Sequence, residues 1–302
     1  MTLTVEPVEL SGFDGTVLRG DLYRPAGADA DRPGVVMSHG FSAVRTMALP
    51  AFAHALADSG LVVLLYDHRN LGDSDGQPRQ EINPWAQSRD MIEAIGWLGE
   101  RGGVDDRRLG LWGSSFSGGE ALVVAAVDDR VRAVVANVPF AGLSADGYEA
   151  TEARFGAMES ELVGAVGLAG PGGDVIGPLA VVPDEASGLH AFLDQPEASA
   201  WYLSEGERAG SWRNQVTLRH AFGSEPAFDP GVAVAHLGDT PLLMVIATED
   251  RVADVDVARA GFDRASGPKQ LVVIEGHHFV PYSGAALTVA VDAARDFFHR
   301  HL

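Results

Sequence analysis

Six short runs rich in Val, Leu and Ile recur along the chain, at 34–37, 61–66, 108–112, 131–136, 242–247 and 271–274. Each is too short for an ordinary helix and carries no polar face, as strands covered on both sides of a sheet require. Between them stand amphipathic stretches with helical spacing, at 47–59, 84–100, 116–127, 255–265 and 284–299. Strand and helix in alternation predict an α/β fold built on a doubly wound, mostly parallel sheet. Residues 3–10 and 16–23 instead alternate apolar and polar around a Gly12–Gly15 turn, which predicts an antiparallel hairpin at the N-terminus.

The alternation lapses from 141 to 235. That segment holds a Gly/Pro-rich run, Gly164–Pro183, expected to be loop, and a helix expected near 189–204. The reading is a core of 1–140 and 236–302, with 141–235 inserted as a helical cap over one end of the sheet, the alternative being a separate small domain. Phe140, Tyr148, Phe155, Met158, Trp201, Tyr202, Trp212 and Phe222 are candidates to line an apolar pocket. At least half of them are expected to form the cap's own small core instead.

Charge narrows the partners. Lys and Arg number 22 against 42 Asp and Glu, a formal net charge of −20. So acidic a chain is unsuited to nucleic acid or an anionic membrane. With no cysteine, disulfides, thiolate metal sites and a cysteine nucleophile are excluded. The first residues carry neither a basic nor a long apolar stretch, and no apolar run approaches a membrane span, so the expected location is cytoplasmic. The last predicted helix, ending Phe297-Phe298, is expected to pack on the sheet or to serve a homodimer.

Chemistry first shows at Arg108-Leu-Gly-Leu-Trp-Gly-Ser-Ser-Phe-Ser-Gly-Gly-Glu120, which reads as strand, sharp small-residue turn and helix. Ser115 stands at the turn, between Gly113 and Ser117, where a nucleophilic serine sits above the C-terminal edge of a sheet. In a chain with 36 glycines the Gly-x-Ser-x-Ser pattern alone carries little weight. A serine there also suits the N-cap of a core helix. Its partners decide. A serine hydroxyl needs a base, and the base an orienting carboxylate, in the chain order Ser, acid, His.

Both partners follow in that order. The strand ending at Ala247 runs into Thr-Glu-Asp-Arg, with Asp250 the preferred acid and Glu249 the fallback. The strand ending at Ile274 runs into Glu-Gly-His-His-Phe, with His278 preferred as base over His277. The other histidines, His54, His190, His220, His236, His299 and His301, are expected to be surface or structural. Acyl transfer also needs donors for the developing oxyanion. The Phe116 amide directly follows the nucleophile. The Phe41 amide lies in Ser38-His-Gly-Phe-Ser42, where Gly40 lets the backbone turn inward and His39 is expected to brace the loop.

At these residues the chain resembles the α/β-hydrolase superfamily. Five blocks match in order: Ser-His-Gly-Phe (38–41), Tyr-Asp-His-Arg-Asn-Leu-Gly-Asp-Ser (66–74), Gly-Leu-Trp-Gly-Ser-Ser-Phe-Ser-Gly-Gly (110–119), Ala-Thr-Glu-Asp (247–250) and Glu-Gly-His-His-Phe (275–279). Residues 41–90, and Trp212-Arg-Asn-Gln-Val-Thr, are similar to the bacterial group related to dienelactone hydrolases and X-prolyl peptidase catalytic domains, and to fungal polyketide-processing acyltransferases. The resemblance implies Ser115, Asp250 and His278 as a catalytic triad and Phe41 and Phe116 as oxyanion donors. It implies that the Asp67–Arg69 pair braces the loops under the site. Two positions depart from the pattern: Ser117 where Gly is usual, and Asn70 in place of a common Gly.

The expected activity is that of a serine hydrolase on a carboxylic ester, thioester or lactone, with a small-molecule acyl substrate and no metal or organic cofactor. An acyltransferase shares the first half-reaction. A peptidase would need a clamp for the substrate N-terminus, for which Glu149, Glu152 and Glu159 are available but are expected to form a solvated helix face. A non-catalytic binding protein on the same scaffold would be favoured by a broken triad, and none is seen.

Overall fold

The structure, a computed structural model, describes residues 3–27, 31–145 and 151–302. The chain opens with β1 (Leu3–Ser11), β2 (Val17–Pro25), β3 (Arg32–Ser38), α1 (Pro50–Asp58), β4 (Val62–Tyr66), β5 (Glu81–Ile82) and α2 (Pro84–Gly99). It continues through β6 (Val104–Ser114), α3 (Phe116–Val127), β7 (Val131–Asn137), α4 (Glu152–Val163), β8 (Val175–Leu179), α5 (Pro196–Ala209), β9 (Val216–Arg219) and α6 (Pro230–Ala233). It closes with β10 (Leu242–Ala247), α7 (Val255–Arg264), β11 (Lys269–Ile274) and α8 (Gly284–His301).

Eight strands form one sheet in the order β1-β2-β4-β3-β6-β7-β10-β11. β2 runs antiparallel to β1 and β4, and every later pair is parallel. Burial on both faces explains the apolar runs. In β4, Val63 and Leu65 face one core while Val62, Leu64 and Tyr66 face the other; in β10, Leu243, Val245 and Ala247 are split in the same way from Leu242, Met244 and Ile246. Phe52 of α1 and Phe297 and Phe298 of α8 fill the first core; Met91, Ile95 and Leu98 of α2, Leu122 of α3 and Ala258 of α7 fill the second. Phe297 and Phe298 are thus spent inside the chain, and a Cβ on Gly110 would meet the Phe298 ring at 2.7 Å.

The 141–235 segment differs from its sequence expectation in two places. The helix expected near 189–204 is α5, which begins at Pro196 because proline's fixed φ and missing N–H suit only the first turn. The run expected as loop contains β8, which joins β9 and the two-residue β5 in a second sheet. That sheet ties the segment to the core, and Arg219 of β9 donates from Nε to Glu81 of β5 at 3.0 Å and pairs its charge with the second carboxylate oxygen. The packing is continuous as well. Val181, Val182, Leu193, Tyr202 and Val216 share one apolar cluster with Phe41, Trp112 and Phe116. Tyr148 and Glu149 lie outside the described residues, and Glu152 and Glu159 are exposed on α4. Among the described residues no helix is long and apolar enough to cross a membrane.

Candidate active site

β6 delivers Ser115 to the C-terminal edge of the sheet. The serine has φ +53° and ψ −116°, a strained conformation for a residue with a side chain. The surroundings hold it there. Its N–H donates to the Asn137 carbonyl at 2.9 Å, and its own carbonyl accepts from Gly118 and Phe140, each at 2.9 Å. The turn admits only small neighbours, since a Cβ on Gly113 would stand 2.1 Å from the Ser117 carbonyl oxygen. α3 starts at the next residue, so its unsatisfied amides and positive dipole end lie beside the serine hydroxyl.

The loops after β10 and β11 bring Asp250 and His278 to this serine. His278 Nε2 lies 2.9 Å from Ser115 Oγ, and His278 Nδ1 lies 2.6 Å from Asp250 Oδ2. The second carboxylate oxygen of Asp250 accepts the amides of Val252 and Ala253, both at 2.9 Å. All three residues are buried, with Ser115 the most accessible at 8%. The two fallback residues are elsewhere. The Glu249 side chain is exposed, and His277 is half-buried with its Nδ1 accepting the Phe279 amide at 3.2 Å.

Gly40 brings the other loop against the serine. A Cβ on Gly40 would stand 2.9 Å from Ser115 Cβ, so glycine is what permits the approach. Among the described residues no acceptor takes the Phe41 or the Phe116 amide hydrogen. His39 braces this loop: its Nδ1 faces the Gly40 carbonyl at 3.1 Å, and its Nε2 accepts the His68 amide at 3.1 Å. Burial pushes the His39 pKa down, so the ring is held neutral.

Residues of the 141–235 segment complete the frame. The Tyr202 hydroxyl donates to the Phe41 carbonyl, and Trp212 Nε1–H donates to the Ser42 carbonyl at 3.0 Å. Gly206 lets the Trp212 ring pack on α5; a Cβ there would fall 2.2 Å from the indole. Trp201 stacks on Phe279, next to His278, at 5.0 Å. Tyr282 bonds Ser114 across the floor at 2.5 Å. Burial raises the pKa of both Tyr202 and Tyr282, which keeps both phenols protonated. Of the aromatic candidates, Trp201 and Tyr202 border the site, whereas Phe155 and Met158 pack in a separate cluster with Trp85 and Phe228.

Asp67 and Arg69 both brace the loops, each through partners of its own. Asp67 takes the Arg45 amide at 2.6 Å, the Arg45 guanidinium, and the Asp73 amide at 3.0 Å. Arg69 forks onto Asp90 with two bonds of 2.6 Å and reaches Asp14 at 3.0 Å. The departures from the family pattern both have structural roles. Asn70 takes the left-handed φ of +68° that glycine would take, and its side chain bonds the Glu81 carbonyl at 3.1 Å.

Ser117 belongs to a polar relay under the elbow that the sequence reading missed. Its hydroxyl donates to Glu120 at 2.7 Å and meets His68 Nε2 at 2.7 Å. Burial, with the nearby Asp90 charge adding to it, pushes the Glu120 pKa up to about 8. The sign of it in the sequence is a lone carboxylate in the first turns of α3, whose other residues are apolar or small.

A family model for X-Pro dipeptidyl-peptidases of the S15 family matches residues 14–280. The thiohydrolase aneE of Aspergillus aculeatus is 31% identical over 283 residues, which span 91% of this chain and 87% of that protein. The acyltransferase drtE of Aspergillus calidoustus is 29% identical over 283 residues, spanning 90% of this chain and 86% of that one. Among solved structures, the α/β hydrolase GrgF from Penicillium sp. sh18 superposes with a TM-score of 0.76 at 26% identity, covering 99% of each chain. The fold is therefore the α/β-hydrolase fold.

Proposed function

The chain belongs to the X-Pro dipeptidyl-peptidase (S15) family, within the α/β-hydrolase superfamily, and from that premise we propose that it is a serine hydrolase cleaving an ester, thioester or lactone through an acyl-enzyme on Ser115. The observation that carries this reading is the unbroken line from Ser115 Oγ to His278 to Asp250, with contacts of 2.9 and 2.6 Å. In the proposed reaction His278 Nε2 takes the Ser115 proton as Oγ attacks the carbonyl carbon. Asp250, fixed by two backbone amides, accepts from His278 Nδ1–H, setting the tautomer and stabilising the imidazolium.

The oxyanion turns toward the amides of Phe41 and Phe116, each donor worth about 3–4 kcal/mol in the transition state. The tetrahedral intermediate collapses, and the leaving oxygen or sulfur departs with the proton held by His278. Water then repeats the sequence, with His278 as base, and releases the acid. Residues 141–235 act as a cap over this chemistry, in a cytoplasmic enzyme. Thioester cleavage is favoured by the likeness to a thiohydrolase along nine-tenths of the chain.

Acyl transfer is the second reading, favoured by the likeness to an acyltransferase. It needs a bound alcohol, thiol or amine in place of the water of the second half-reaction. The test of the shared chemistry is treatment with a fluorophosphonate, followed by intact mass, beside Ser115→Ala. One adduct on the wild type and none on the variant is the expected result. A folded wild type that stays unmodified would overturn the reading. Turnover of a thioester with and without an added alcohol or amine then separates hydrolysis from transfer.

A further inference from the structure

Five phenylalanines beside Ser115 form a closed circle. Phe41 and Phe116 meet edge to face at 5.8 Å between centroids, and Phe116 stacks on Phe140 at 5.6 Å. Phe140 meets Phe222 at 6.4 Å, Phe222 lies nearly parallel to Phe192 at 6.1 Å, and Phe192 stacks on Phe41 at 4.5 Å. Each ring touches two others. Among the described residues no ring contact crosses the circle, so the five follow one another as a continuous apolar surface.

The circle starts at the chemistry and ends at the surface. Phe41 and Phe116, the residues whose amides face the oxyanion, are buried. Phe192 and Phe222, both from the inserted segment, are 37% and 39% exposed. A continuous aromatic wall therefore runs outward from beside the serine. Keeping two large rings in water forgoes burial that a self-contained cap core would have captured.

On the side of Ser115 bordered by Trp201 and Tyr282 there is little room. The cavity bordered by Met47, Leu49, Trp201, Tyr202, Phe279 and Tyr282 measures about 10 Å³. That is the space of about one water molecule. A carbonyl carbon bonded to Ser115, with its oxygen toward the Phe41 and Phe116 amides, can place a methyl group there and little more. A longer acyl chain does not fit in that cavity, and the phenylalanines are the apolar surface beside the serine that can take it.

We propose that the phenylalanine circle is the acyl-binding subsite and that the preferred substrate is an ester or thioester of an apolar, medium-length acyl group. A charged acyl group would lose its hydration against five rings that offer no hydrogen bond in return. This inference rests on the serine-hydrolase reading above, and it is tested so that the two fail separately.

The first arm compares p-nitrophenyl acetate with the hexanoate. With about a fourfold gain for each fully buried methylene, the wild type should favour hexanoyl in kcat/KM by roughly tenfold or more. In Phe192→Ala/Phe222→Ala, two exposed positions where truncation leaves the core intact, that hexanoyl-to-acetyl ratio should fall by roughly tenfold. The second arm needs no turnover: calorimetry on Ser115→Ala with S-hexanoyl- and S-acetyl-N-acetylcysteamine, where hexanoyl should bind more tightly and the added phenylalanine truncations should erase the difference. Chain-length preference in this arm, with no fluorophosphonate adduct on the wild type, supports the subsite and sinks the hydrolase reading. A modified, active wild type indifferent to chain length, or a ratio unmoved by the double truncation, overturns the subsite.

Discussion

The hydroxyl of Tyr202, on α5, donates to the carbonyl oxygen of Phe41, which follows the Gly40 that packs against Ser115. The same region of the insert reaches the other loops of the site. Gln195 donates to the Arg251 carbonyl, one residue past Asp250, at 3.2 Å, and Trp201 stacks on the neighbour of His278. The helix and its N-cap thus tie the loops after β3, β10 and β11 to one element. Tyr202→Phe leaves the Phe41 carbonyl buried without its donor, at a stability cost of about 1–3 kcal/mol. The expected kinetic result is a fall in kcat of roughly 10- to 100-fold with KM little changed, because the loop matters most to the oxyanion. Steady-state kinetics with a p-nitrophenyl ester and a thermal melt check both halves. A variant with wild-type kcat would show that the Phe41 amide keeps its aim without Tyr202.

Gly40→Ala should be far more damaging than its size suggests. The added methyl would stand 2.9 Å from Ser115 Cβ and 3.3 Å from the Ser114 carbonyl oxygen, so either the loop or the nucleophile must shift. Displacements of this order at a reacting centre cost roughly 100-fold in rate. The rate of fluorophosphonate labelling reads this directly, and circular dichroism should show an unchanged fold. Labelling at the wild-type rate would mean that the loop absorbs the methyl elsewhere.

The neighbouring residues of each partner loop provide matched controls. Asp250→Asn should lower kcat by about 10⁴, since the amide no longer fixes the His278 tautomer, whereas Glu249→Gln, at an exposed side chain, should leave it within about twofold. Ser115→Ala and His278→Ala should each lower kcat by about 10⁶. His277→Ala should have a mild effect, because among the described residues that ring accepts only the Phe279 amide. If His277→Ala were the severe change, the base would have to be reassigned.

The sheet was legible because burial on both faces imposes a pattern on neighbouring residues, and β4 and β10 show it without interruption. The line Ser115–His278–Asp250 was legible for a related reason, since each residue stands in the loop after a strand that ends at one sheet edge. The segment between β7 and β10 obeys no such local rule. β8 is exposed along nearly its whole length and pairs with β9, which in turn pairs with the two residues of β5, so neither alternation nor length marks it. The apolar residues Leu189, Phe192 and Leu193 imitate a helical face just before Pro196, where α5 begins. The bonds from Tyr202 to Phe41 and from Trp212 to Ser42 join positions about 160 to 170 residues apart, and nothing in either short stretch encodes its partner.

The relay under the elbow makes a prediction about pH. Glu120 is fully buried, and its pKa is raised from 4.5 to about 8, chiefly by desolvation of the carboxylate. The folded protein therefore keeps a proton that the unfolded chain gives up above its ordinary carboxylate pKa. Stability from this group is fully present below about pH 4.5 and is lost progressively as pH rises toward about 8. A shift of that size amounts to a few kcal/mol at the alkaline end. Glu120→Gln keeps the hydrogen-bonding shape and removes the proton that must be held. Its melting temperature should approach or exceed that of the wild type at pH 9 and lose any such advantage near pH 5. Thermal melts of both proteins across this range decide the matter. Parallel curves would mean that Glu120 is ionised in the fold at neutral pH, with the buried His68–Ser117 pair compensating its charge.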